Sequence, residues 1–288
     1  MPGVSIHMSS YNHARYLRES IQSVLGQTFR DFELFILDDA STDDSWNIIQ
    51  SFTDPRIHPM RNEVNRNDKS VMRRVISEFS RGEYFAVHHS DNIWEPGKLQ
   101  AQVDFLDDHP GFGAVFTNAL SITENGEPLT DETHFYYRIF DQPNRSRFEW
   151  LRFFFYEGNA LCHPSILIRK DCYEKCGSYR DGLGQIPDMD MWIRLCLSYP
   201  IHVLPEKFVR FRVPLNKEAV SADRPDTRVR CRFELLKVLE NYLQITDWET
   251  FKKVFPEAKK YERGKDTDTA YTLARLALDA PGSEVIRL

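Results

Sequence analysis

The sequence predicts an α/β fold in which helices flank a central, mostly parallel sheet. Throughout residues 1–120, short apolar segments of strand length alternate with segments whose apolar residues recur at helical spacing. This alternation is typical of parallel strands joined by crossover helices. The apolar segments also end in polar clusters, and in such sheets ligands bind beyond the carboxyl ends of the strands.

Five strands are predicted in this part of the chain, at residues 4–8, 32–37, 57–60, 84–87 and 114–116. The first shows two-residue alternation, whereas 32–37 and 84–87 are continuous apolar runs, which are typical of buried strands. Ser41, with Asp44 three residues later, predicts the beginning of the second helix. Each intervening helix carries an apolar stripe, formed by Leu17, Ile21 and Val24, by Trp46, Ile49 and Phe52, by Val71, Val75 and Phe79, and by Leu99, Val103 and Leu106.

The second part of the chain has a less regular pattern. Residues 121–144 are polar and contain turn signals, so a loop or hairpin is predicted there. The next predicted elements are a helix at 148–156, a strand at 165–168, a helix at 188–197 and short strands at 203–204 and 208–213. From Asp226 onward the pattern is wholly helical, with one apolar stripe formed by Val229, Phe233, Leu236 and Leu243. We therefore predict an α/β domain over 1–213, with halves at 1–120 and 121–213, and a helical C-terminal extension over 214–288.

Composition narrows the classes of function. The 288 residues carry a net charge of −6, which argues against a nucleic-acid partner. Five cysteines occur without paired spacing, which fits reduced thiols in the cytoplasm better than disulfides or a zinc site. No apolar segment approaches the roughly 20 residues of a membrane-spanning helix, and the first ten residues lack a leader-like apolar core. We therefore expect a cytoplasmic protein, with peripheral attachment to a membrane left open.

Polar clusters follow the first, second and fourth predicted strands, and they include Asp39 and Asp91. No Gly-x-Gly-x-x-Gly segment follows the first strand, so the dinucleotide fingerprint of dehydrogenases is absent. A nucleotide site at these strand ends would rely on carboxylates and a metal instead. Taken alone, Asp91 and Asn92 fit an ordinary turn at least as well.

Several segments, in order and at family-like spacing, resemble the family 2 glycosyltransferases of the GT-A fold. The resemblance covers about residues 3–213 and implies a Rossmann-like sheet that binds a nucleotide-diphosphate sugar. It rests on Ser9-Ser10-Tyr11-Asn12, Ser23-Val24-Leu25-Gly26-Gln27-Thr28-Phe29, Asp38-Asp39-Ala40-Ser41-Thr42-Asp43, the segment 82–100, Ser165-Ile166-Leu167-Ile168, Gly177-Ser178-Tyr179 and Asp188-Met189-Asp190-Met191-Trp192.

The resemblance implies a base-binding site at the first two strand ends. Asp39 would accept a hydrogen bond from the imide N–H of uracil or thymine. Tyr11 would flank the base, and the backbone around Ser10 and Asn12 would contact it. Helix capping for Asp39 and an ordinary half-buried ring for Tyr11 are the alternatives.

The resemblance also implies contacts with the donor diphosphate. Arg73 would face it, although Arg74 stands where the family has asparagine, so either arginine could point inward. A solvated helix face is the alternative for both. Ser90, in the polar cluster after the fourth strand, is a further donor-binding candidate.

By the same resemblance Asp91 would ligate Mn²⁺ or Mg²⁺, which stabilises the charge that grows on the diphosphate leaving group. The family usually has an acidic residue two places earlier, where this chain has His89. Imidazole suits Mn²⁺ better than Mg²⁺. His89 would therefore be either a second ligand of the metal or, instead, a hydrogen-bonding partner of the diphosphate. Pro214 stands near the place of the histidine that often completes the site in the family, which implies a weaker or water-filled site.

Asp188 would be the catalytic base by resemblance, since inverting transfer needs one carboxylate to accept the proton of the attacking hydroxyl. Asp190, two residues later on the same helix, would face another direction and could not serve the same hydroxyl. The alternative for Asp188 is that of an acid at a helix N-terminus that interacts with the helix dipole. Trp94, just outside the metal turn, is the candidate sugar platform, while Trp192 is expected in the core. His163 could touch the acceptor, with a structural role as the alternative.

These features predict an inverting, metal-dependent glycosyltransferase that moves a sugar from a UDP- or dTDP-sugar to a glycan or lipid-linked acceptor in polysaccharide biosynthesis. One alternative is a sugar nucleotidyltransferase, although the glycine-rich, lysine-containing loop of that class is absent after the first strand. The other is a non-catalytic sugar-nucleotide-binding or scaffold protein. The C-terminal helices could cover the acceptor, form a homodimer or lie against a membrane.

Overall fold

The computed structural model describes residues 2–66, 70–213, 224–264 and 267–279. The chain forms two compact units. The first contains Met1–Asn144, Ala160–Gly182 and Ile201–Asn216, and the second contains Arg145–Asn159, Leu183–Pro200 and Lys217–Leu288. Two short stretches within residues 1–213 therefore cluster with the C-terminal helices.

The described elements follow one another as β1 (Val4–Ser10), α1 (Ala14–Leu25), β2 (Phe32–Asp38), α2 (Ser45–Gln50), β3 (Ile57–Arg61), α3 (Ser70–Arg74, continued by a π-helical turn at Val75–Phe79), β4 (Tyr84–His89), β5 (Ile93–Trp94), α4 (Lys98–Asp108), β6 (Ala114–Ile122), α5 (Arg147–Tyr156), β7 (Leu167–Arg169), α6 (Lys170–Cys176), α7 (Pro187–Ser198), β8 (Ile201–Arg212), α8 (Pro225–Leu239), α9 (Trp248–Val254) and α10 (Thr269–Asp279). Every strand lies in the first unit, whereas α5 and α7–α10 lie in the second.

The eight described strands form one mixed sheet in the order β3-β2-β1-β4-β7-β6-β8-β5. Strands β1–β4 pair in parallel, as do β6 and β8. The predicted mostly parallel sheet is confirmed. The strand β5 and the antiparallel direction of β7 were not expected, because hydrophobic periodicity indicates which face of a strand is buried but not the direction in which it pairs.

The core of the first unit is built on the apolar residues of β1 and β2. Val4, Ile6 and Met8 of β1 and Leu34 and Ile36 of β2 are fully buried. They pack with the predicted apolar stripes of α1 and α4. Hydrophobic burial of this kind is the dominant favourable contribution to folding, so the sheet is a rigid support for the loops at its edge.

Two local predictions are wrong, and one helix was missed. Ser41 does not begin the second helix, because α2 starts at Ser45 and the Ser41 hydroxyl instead accepts a hydrogen bond from the Asn12 amide at 2.9 Å. The short strands at 203–204 and 208–213 are one strand, β8, which pairs with β6 through a register shift around Asn118. The helix α6 was not predicted at all.

The C-terminal stripe is also not the buried face. Val229, Phe233 and Leu236 are each more than 60% exposed, and α8 instead buries Glu234 and Leu235, together with Thr227 and Val238. Spacing identified the helix correctly, but a stripe at helical spacing does not tell which face meets the rest of the unit. Within the described residues, no helix is long and apolar enough to cross a membrane.

Strand register brings the predicted donor clusters to one edge of the sheet. Ser10 at the end of β1 pairs with Asp38 at the end of β2, and Ser9 pairs with His89 at the end of β4. The loops that begin after these three neighbouring parallel strands therefore emerge side by side.

Candidate active site

The loops after β1 and β2 are locked to each other. Asn12 and Ala40 adopt φ values of 52° and 62°, which are uncommon for residues other than glycine. The Asn12 side-chain oxygen accepts from the Thr42 amide at 2.8 Å, while the Asn12 amide donates to Ser41. Such backbone conformations persist where surrounding contacts over-determine them, and they cluster at functional sites. Tyr11, between these anchors, is 42% exposed.

The two adjacent aspartates after β2 have different environments. Asp38 is fully buried, accepts from the Ser41 amide at 3.2 Å and forms an ion pair with Arg61 at 3.1 Å. Asp39 is half-buried, and its Oδ1 accepts from the Asn62 side chain at 2.7 Å and from the Arg66 amide at 3.1 Å. These donors fix the orientation of the Asp39 carboxylate, whereas Asp38 holds the loop.

His13 joins the first strand end to the fourth. Its Nδ1 lies 2.7 Å from the hydroxyl of Ser90, which is fully buried, and the Ser90 amide donates to the Ser9 carbonyl at 3.3 Å. Ser90 is thereby placed at the strand edge. His13 was not among the predicted site residues, although its position directly after the Tyr11-Asn12 cluster was a usable signal.

The turn at Asp91 is held by a buried arginine from the other end of the sheet. Arg212 is 4% exposed, and its Nε donates to the Asp91 carbonyl at 2.8 Å, while its amide donates to the Asn92 side-chain oxygen at 2.8 Å. Its other guanidinium nitrogens reach the Glu124 carbonyl at 2.7 Å and the Glu19 carboxylate at 3.1 Å. Arg212 thus fixes the backbone that carries the predicted metal ligand.

The Asp91 side chain has the character of a cation ligand. Its Oδ1 is buried and has no hydrogen-bond partner among the described residues. A buried carboxylate oxygen without a partner is costly, and a bound cation would remove that cost. The described residues contain no cluster of three or more potential metal-ligating side chains. Any Mg²⁺ or Mn²⁺ held by Asp91 would therefore take most of its ligands from diphosphate oxygens and water, which is common for Mg²⁺.

Histidines beside this turn have distinct roles. His88 is fully buried, and burial holds its pKa well below the usual value, so it is a neutral core residue that contacts the Ser20 hydroxyl at 3.0 Å. The His89 and His163 rings meet edge to face at 5.2 Å between centroids. His163 Nε2 also lies 2.9 Å from the Tyr179 hydroxyl. The structure therefore brings the predicted acceptor residue His163 next to the predicted ligand His89.

Of the two candidate arginines, Arg73 is the more enclosed. Its side chain is 26% exposed and forms a 2.6 Å ion pair with Asp181, whereas Arg74 is 56% exposed and pairs with Glu78 one helical turn away. The sequence left the choice between them open because Arg74 stands where the family has asparagine, and the packing of α3 shows that Arg73 is the less exposed of the two.

Trp94 is not a sugar platform. The residue is 2% exposed, and its indole N–H donates to the Pro164 carbonyl at 2.9 Å. The ammonium of Lys98 lies 3.9 Å from the ring centroid, and burial holds the pKa of this lysine well below its usual value. A ring covered in this way cannot stack on a ligand, so the expected acceptor role of Trp94 is wrong. Trp192 is fully buried, as predicted.

In the second unit, Asp188 lies in the first turn of α7, directly after Pro187, whose missing N–H suits that position. Its Oδ2 accepts from the Asn159 side chain at 2.8 Å, and its Oδ1 accepts from the Met189 amide at 2.9 Å. Asp190 is fully buried and pairs with Arg194 at 2.8 Å. Asp188, which is half-buried, is therefore the more accessible carboxylate of the two.

The segment that leads into α7 is fixed by Glu234 of α8. This buried carboxylate accepts hydrogen bonds from the amides of Gly184, Gln185 and Ile186 at 2.7 to 3.0 Å. Burial alone would raise the pKa of Glu234, but these three donors and Arg230 outweigh it and hold the pKa below its usual range. Glu234 and Gly184 are 50 residues apart, so no local pattern could have predicted the contact.

The chain belongs to glycosyl transferase family 2, since the model of that family matches residues 5–175. Its sheet and C-terminal helices have the GT-A architecture that the sequence resemblance implied. The late-histidine position at Pro214 lies outside the described residues.

Individual relatives share a modest part of the sequence. The chain is 26% identical to the uncharacterized glycosyltransferase MJ1057 of Methanocaldococcus jannaschii, over 87% of this chain and 81% of the relative. It is 33% identical to the UDP-Glc:alpha-D-GlcNAc-diphosphoundecaprenol beta-1,3-glucosyltransferase WfaP of Escherichia coli, over 36% of this chain and 41% of that protein.

Two solved structures share the fold at 16% sequence identity. Staphylococcus aureus TarS 1–349 in complex with UDP-GlcNAc superposes with a TM-score of 0.65, covering 98% of this chain and 82% of TarS. The mannosyltransferase PcManGT of Pyrobaculum calidifontis, in complex with GDP-Man and Mn²⁺, superposes with a TM-score of 0.59, covering 96% of this chain and 73% of that one.

Proposed function

We propose that this glycosyltransferase is an inverting, metal-dependent enzyme that transfers a sugar from a UDP- or dTDP-sugar to a glycan or lipid-linked acceptor in polysaccharide biosynthesis. The observation that carries the proposal is the Oδ1 of Asp91, which is buried without a hydrogen-bond partner among the described residues, at the edge of the sheet where β1, β2 and β4 end. That edge is where open α/β sheets bind nucleotides.

Four residues of the first two strand ends are assigned to the nucleoside. The Asp39 carboxylate, oriented by Asn62 and Arg66, would accept the imide N–H of uracil or thymine. Exposed Tyr11 would flank the base, while the locked backbone of Ser10 and Asn12 would contact it. A rigid loop favours binding because little conformational entropy is lost when the ligand arrives.

The diphosphate is assigned to Asp91, Ser90 and Arg73, with His89 beside them. Asp91 would hold Mn²⁺ or Mg²⁺, and PcManGT, which shares the fold, has been solved with Mn²⁺. When bound, the cation supplies positive charge that stabilises the departing nucleoside diphosphate. Arg73 would add a second positive charge after releasing Asp181. His163, in contact with His89, is assigned to the acceptor side.

Asp188 is assigned as the catalytic base. Its carboxylate would accept the proton of the acceptor hydroxyl as that oxygen bonds to the anomeric carbon and the bond from the anomeric carbon to the diphosphate oxygen breaks. Asn159 donates to one oxygen of Asp188 and the Met189 amide to the other. Both donors fix the orientation of the carboxylate.

The acceptor is proposed to be a sugar chain, either free or attached to a lipid. WfaP, a relative that matches about a third of this chain, acts on a diphosphoundecaprenol-linked sugar. The predicted extent of the transferase domain, residues 1–213, with 214–288 as an extension, stays part of the proposal. The same holds for a cytoplasmic location.

A donor-hydrolysis assay tests the proposal. The purified chain is incubated with UDP-, dTDP- and GDP-sugars in Mn²⁺, Mg²⁺ or a chelator, and released nucleoside diphosphate is quantified. We expect release from a uridine or thymidine donor that depends on the cation. Equal turnover in chelator would contradict the metal assignment, and preference for a GDP-sugar would contradict the assigned role of Asp39.

A further inference from the structure

Helix α8 carries a row of apolar side chains on the face that points to solvent. Val229 and Phe233 are 66% exposed and Leu236 is 63% exposed. Their spacing of four and three residues places them in one line on the helix. The opposite face is the one that packs into the second unit, since Glu234 and Leu235 are buried there. We call the exposed row, with its basic neighbours Arg228, Arg232 and Lys237, the outer face of α8.

The outer face is basic although the protein as a whole is acidic. Helix α8 contains Arg228, Arg230, Arg232 and Lys237 but only two acidic residues, of which Glu234 is buried and Asp226 is exposed and pairs with Arg224 at 3.2 Å. At 100° per residue, Arg228 and Arg232 flank the apolar row on one side and Lys237 flanks it on the other. Lys237 pairs with Glu240 at 2.9 Å. A phenylalanine, a leucine and a valine flanked by arginine and lysine are the pattern of a helix that lies in a membrane interface.

We propose that the outer face of α8 docks this protein on an anionic lipid surface. Phe233, Leu236 and Val229 enter the boundary between headgroups and acyl chains. The basic side chains meet lipid phosphates on either side, where their long apolar stems let the charges stay at the headgroup level. The proposal goes beyond the transfer reaction and does not depend on the residues assigned to donor or base.

A second copy of the chain fits this surface less well. Three partly exposed side chains offer well under the roughly 800 Å² per partner that a standard protein interface buries. A symmetric pairing of the same face would also bring the arginines of both copies together, and like charges across an interface are unfavourable. An anionic lipid surface complements both the size and the charge of the patch.

Vesicle flotation with the full-length chain tests the proposal. Vesicles of phosphatidylcholine alone are compared with vesicles that also contain phosphatidylglycerol, at low and at high salt. We expect binding to the anionic vesicles only, and less of it at high salt because ions screen exposed charges. The double variant Phe233→Ser/Leu236→Ser should reduce binding by about tenfold or more, as expected for two apolar side chains that no longer leave water. Arg228→Ser/Arg232→Ser should also reduce it and weaken its salt dependence.

Matched control variants distinguish binding through the outer face of α8 from nonspecific binding to vesicles. Phe135 is 71% exposed in the first unit, so Phe135→Ser removes a comparable ring elsewhere and should leave binding unchanged. Arg30→Ser/Lys175→Ser removes two exposed basic residues of the first unit and should also have no effect. Circular dichroism and UDP calorimetry on each variant report folding and donor binding separately. A failure of the donor-site proposal can therefore be distinguished from a failure of the lipid-docking proposal.

Three results would overturn the proposal. The first is that the parent chain does not bind anionic vesicles, and the second is that the Phe233→Ser/Leu236→Ser variant binds them as well as the parent chain does. The third is a dimer, seen by light scattering without lipid, that the same double variant dissociates. That result would assign the outer face of α8 to a second copy.

Discussion

Asp91 and Asp188 are the same residue type in two environments that favour opposite tasks. Asp91 follows a strand, in a turn of the first unit where one carboxylate oxygen is buried without a hydrogen-bond partner among the described residues. Asp188 begins a helix of the second unit, and both of its oxygens accept hydrogen bonds. An unsatisfied buried carboxylate oxygen favours a cation, whereas hydrogen bonds to both oxygens hold the Asp188 carboxylate in one orientation. The two proposed roles therefore differ by the neighbouring donors and not by residue type.

The supports of the two aspartates differ in the same way. Arg212 holds the Asp91 turn through backbone carbonyls and leaves the Asp91 carboxylate to a ligand. Glu234 holds the segment before Asp188 through backbone amides. The buried guanidinium of Arg212 thus donates to carbonyl groups in the first unit, and the buried carboxylate of Glu234 accepts from N–H groups in the second. Four substitutions test whether these two arrangements act as described.

The largest expected effect is that of Asp188→Asn. A carboxamide keeps the shape of the side chain but cannot accept the acceptor proton, so kcat should fall by about 10²–10⁴-fold. UDP affinity, measured by calorimetry, should not change. Asp171→Asn, at an exposed acid in the first turn of α6, is the matched control and should retain activity. If the Asp188 variant kept its turnover, Asp188 would not be the base.

Asp91→Asn should have the next largest effect. Loss of the negative charge removes the anchor for the cation, so Mn²⁺-supported kcat should fall by roughly 10²-fold, given the several kcal/mol that a metal supplies. Calorimetry should show that Mn²⁺ no longer strengthens UDP binding. Asp108→Asn, at the end of α4, serves as the control. Unchanged enhancement by Mn²⁺ in the Asp91 variant would place the metal elsewhere.

Arg212→Lys tests the support of the Asp91 turn. An ammonium cannot reach the Asp91 and Glu124 carbonyls and Glu19 at once, so we expect a loss of about 2 kcal/mol in the free energy of unfolding. Because a supporting contact typically tunes metal affinity by roughly tenfold or more, Mn²⁺ activation should shift to higher concentrations. Arg210→Lys changes a half-exposed arginine of the same strand and controls for the substitution itself. A Mn²⁺ titration equal to that of the parent chain would limit Arg212 to stability.

Glu234→Gln should have the smallest effect, mainly on stability and its pH dependence. The carboxamide offers one acceptor oxygen in place of two, which should cost about 1–3 kcal/mol. Since the folded-state pKa of Glu234 is lowered, its stabilisation is fully present above the unfolded value of about 4.3 and is lost as pH falls through the folded pKa. Denaturant titrations at several pH values should therefore converge for variant and parent under acid. Glu240→Gln, an exposed position just after α8, should follow the parent curve.

Much of the first unit could be predicted from local pattern. Continuous apolar runs identified β2 and β4, and alternation identified β1, because burial on one or two faces leaves a direct trace in sequence. The polar clusters that contain Asp39 and Asp91 were recognised because they follow strands, and strand ends meet at one edge of a parallel sheet, while the roles proposed for Ser10 and Asp39 came from the family resemblance. Trp94 was misjudged because its exposure depends on Lys98 and on Pro164, 70 residues away.

The sequence by itself determined most strands and helices of the first 120 residues, the family and the polar clusters that follow β1, β2 and β4. Those properties depend on residues close together in the chain. The tertiary structure alone decided that Arg212 supports Asp91 across 121 residues, that Glu234 supports the start of α7 and that the apolar row of α8 faces water. The physical reason is that hydrogen-bond partners and burial are set by packing between distant segments, and neither has a fixed period along the chain.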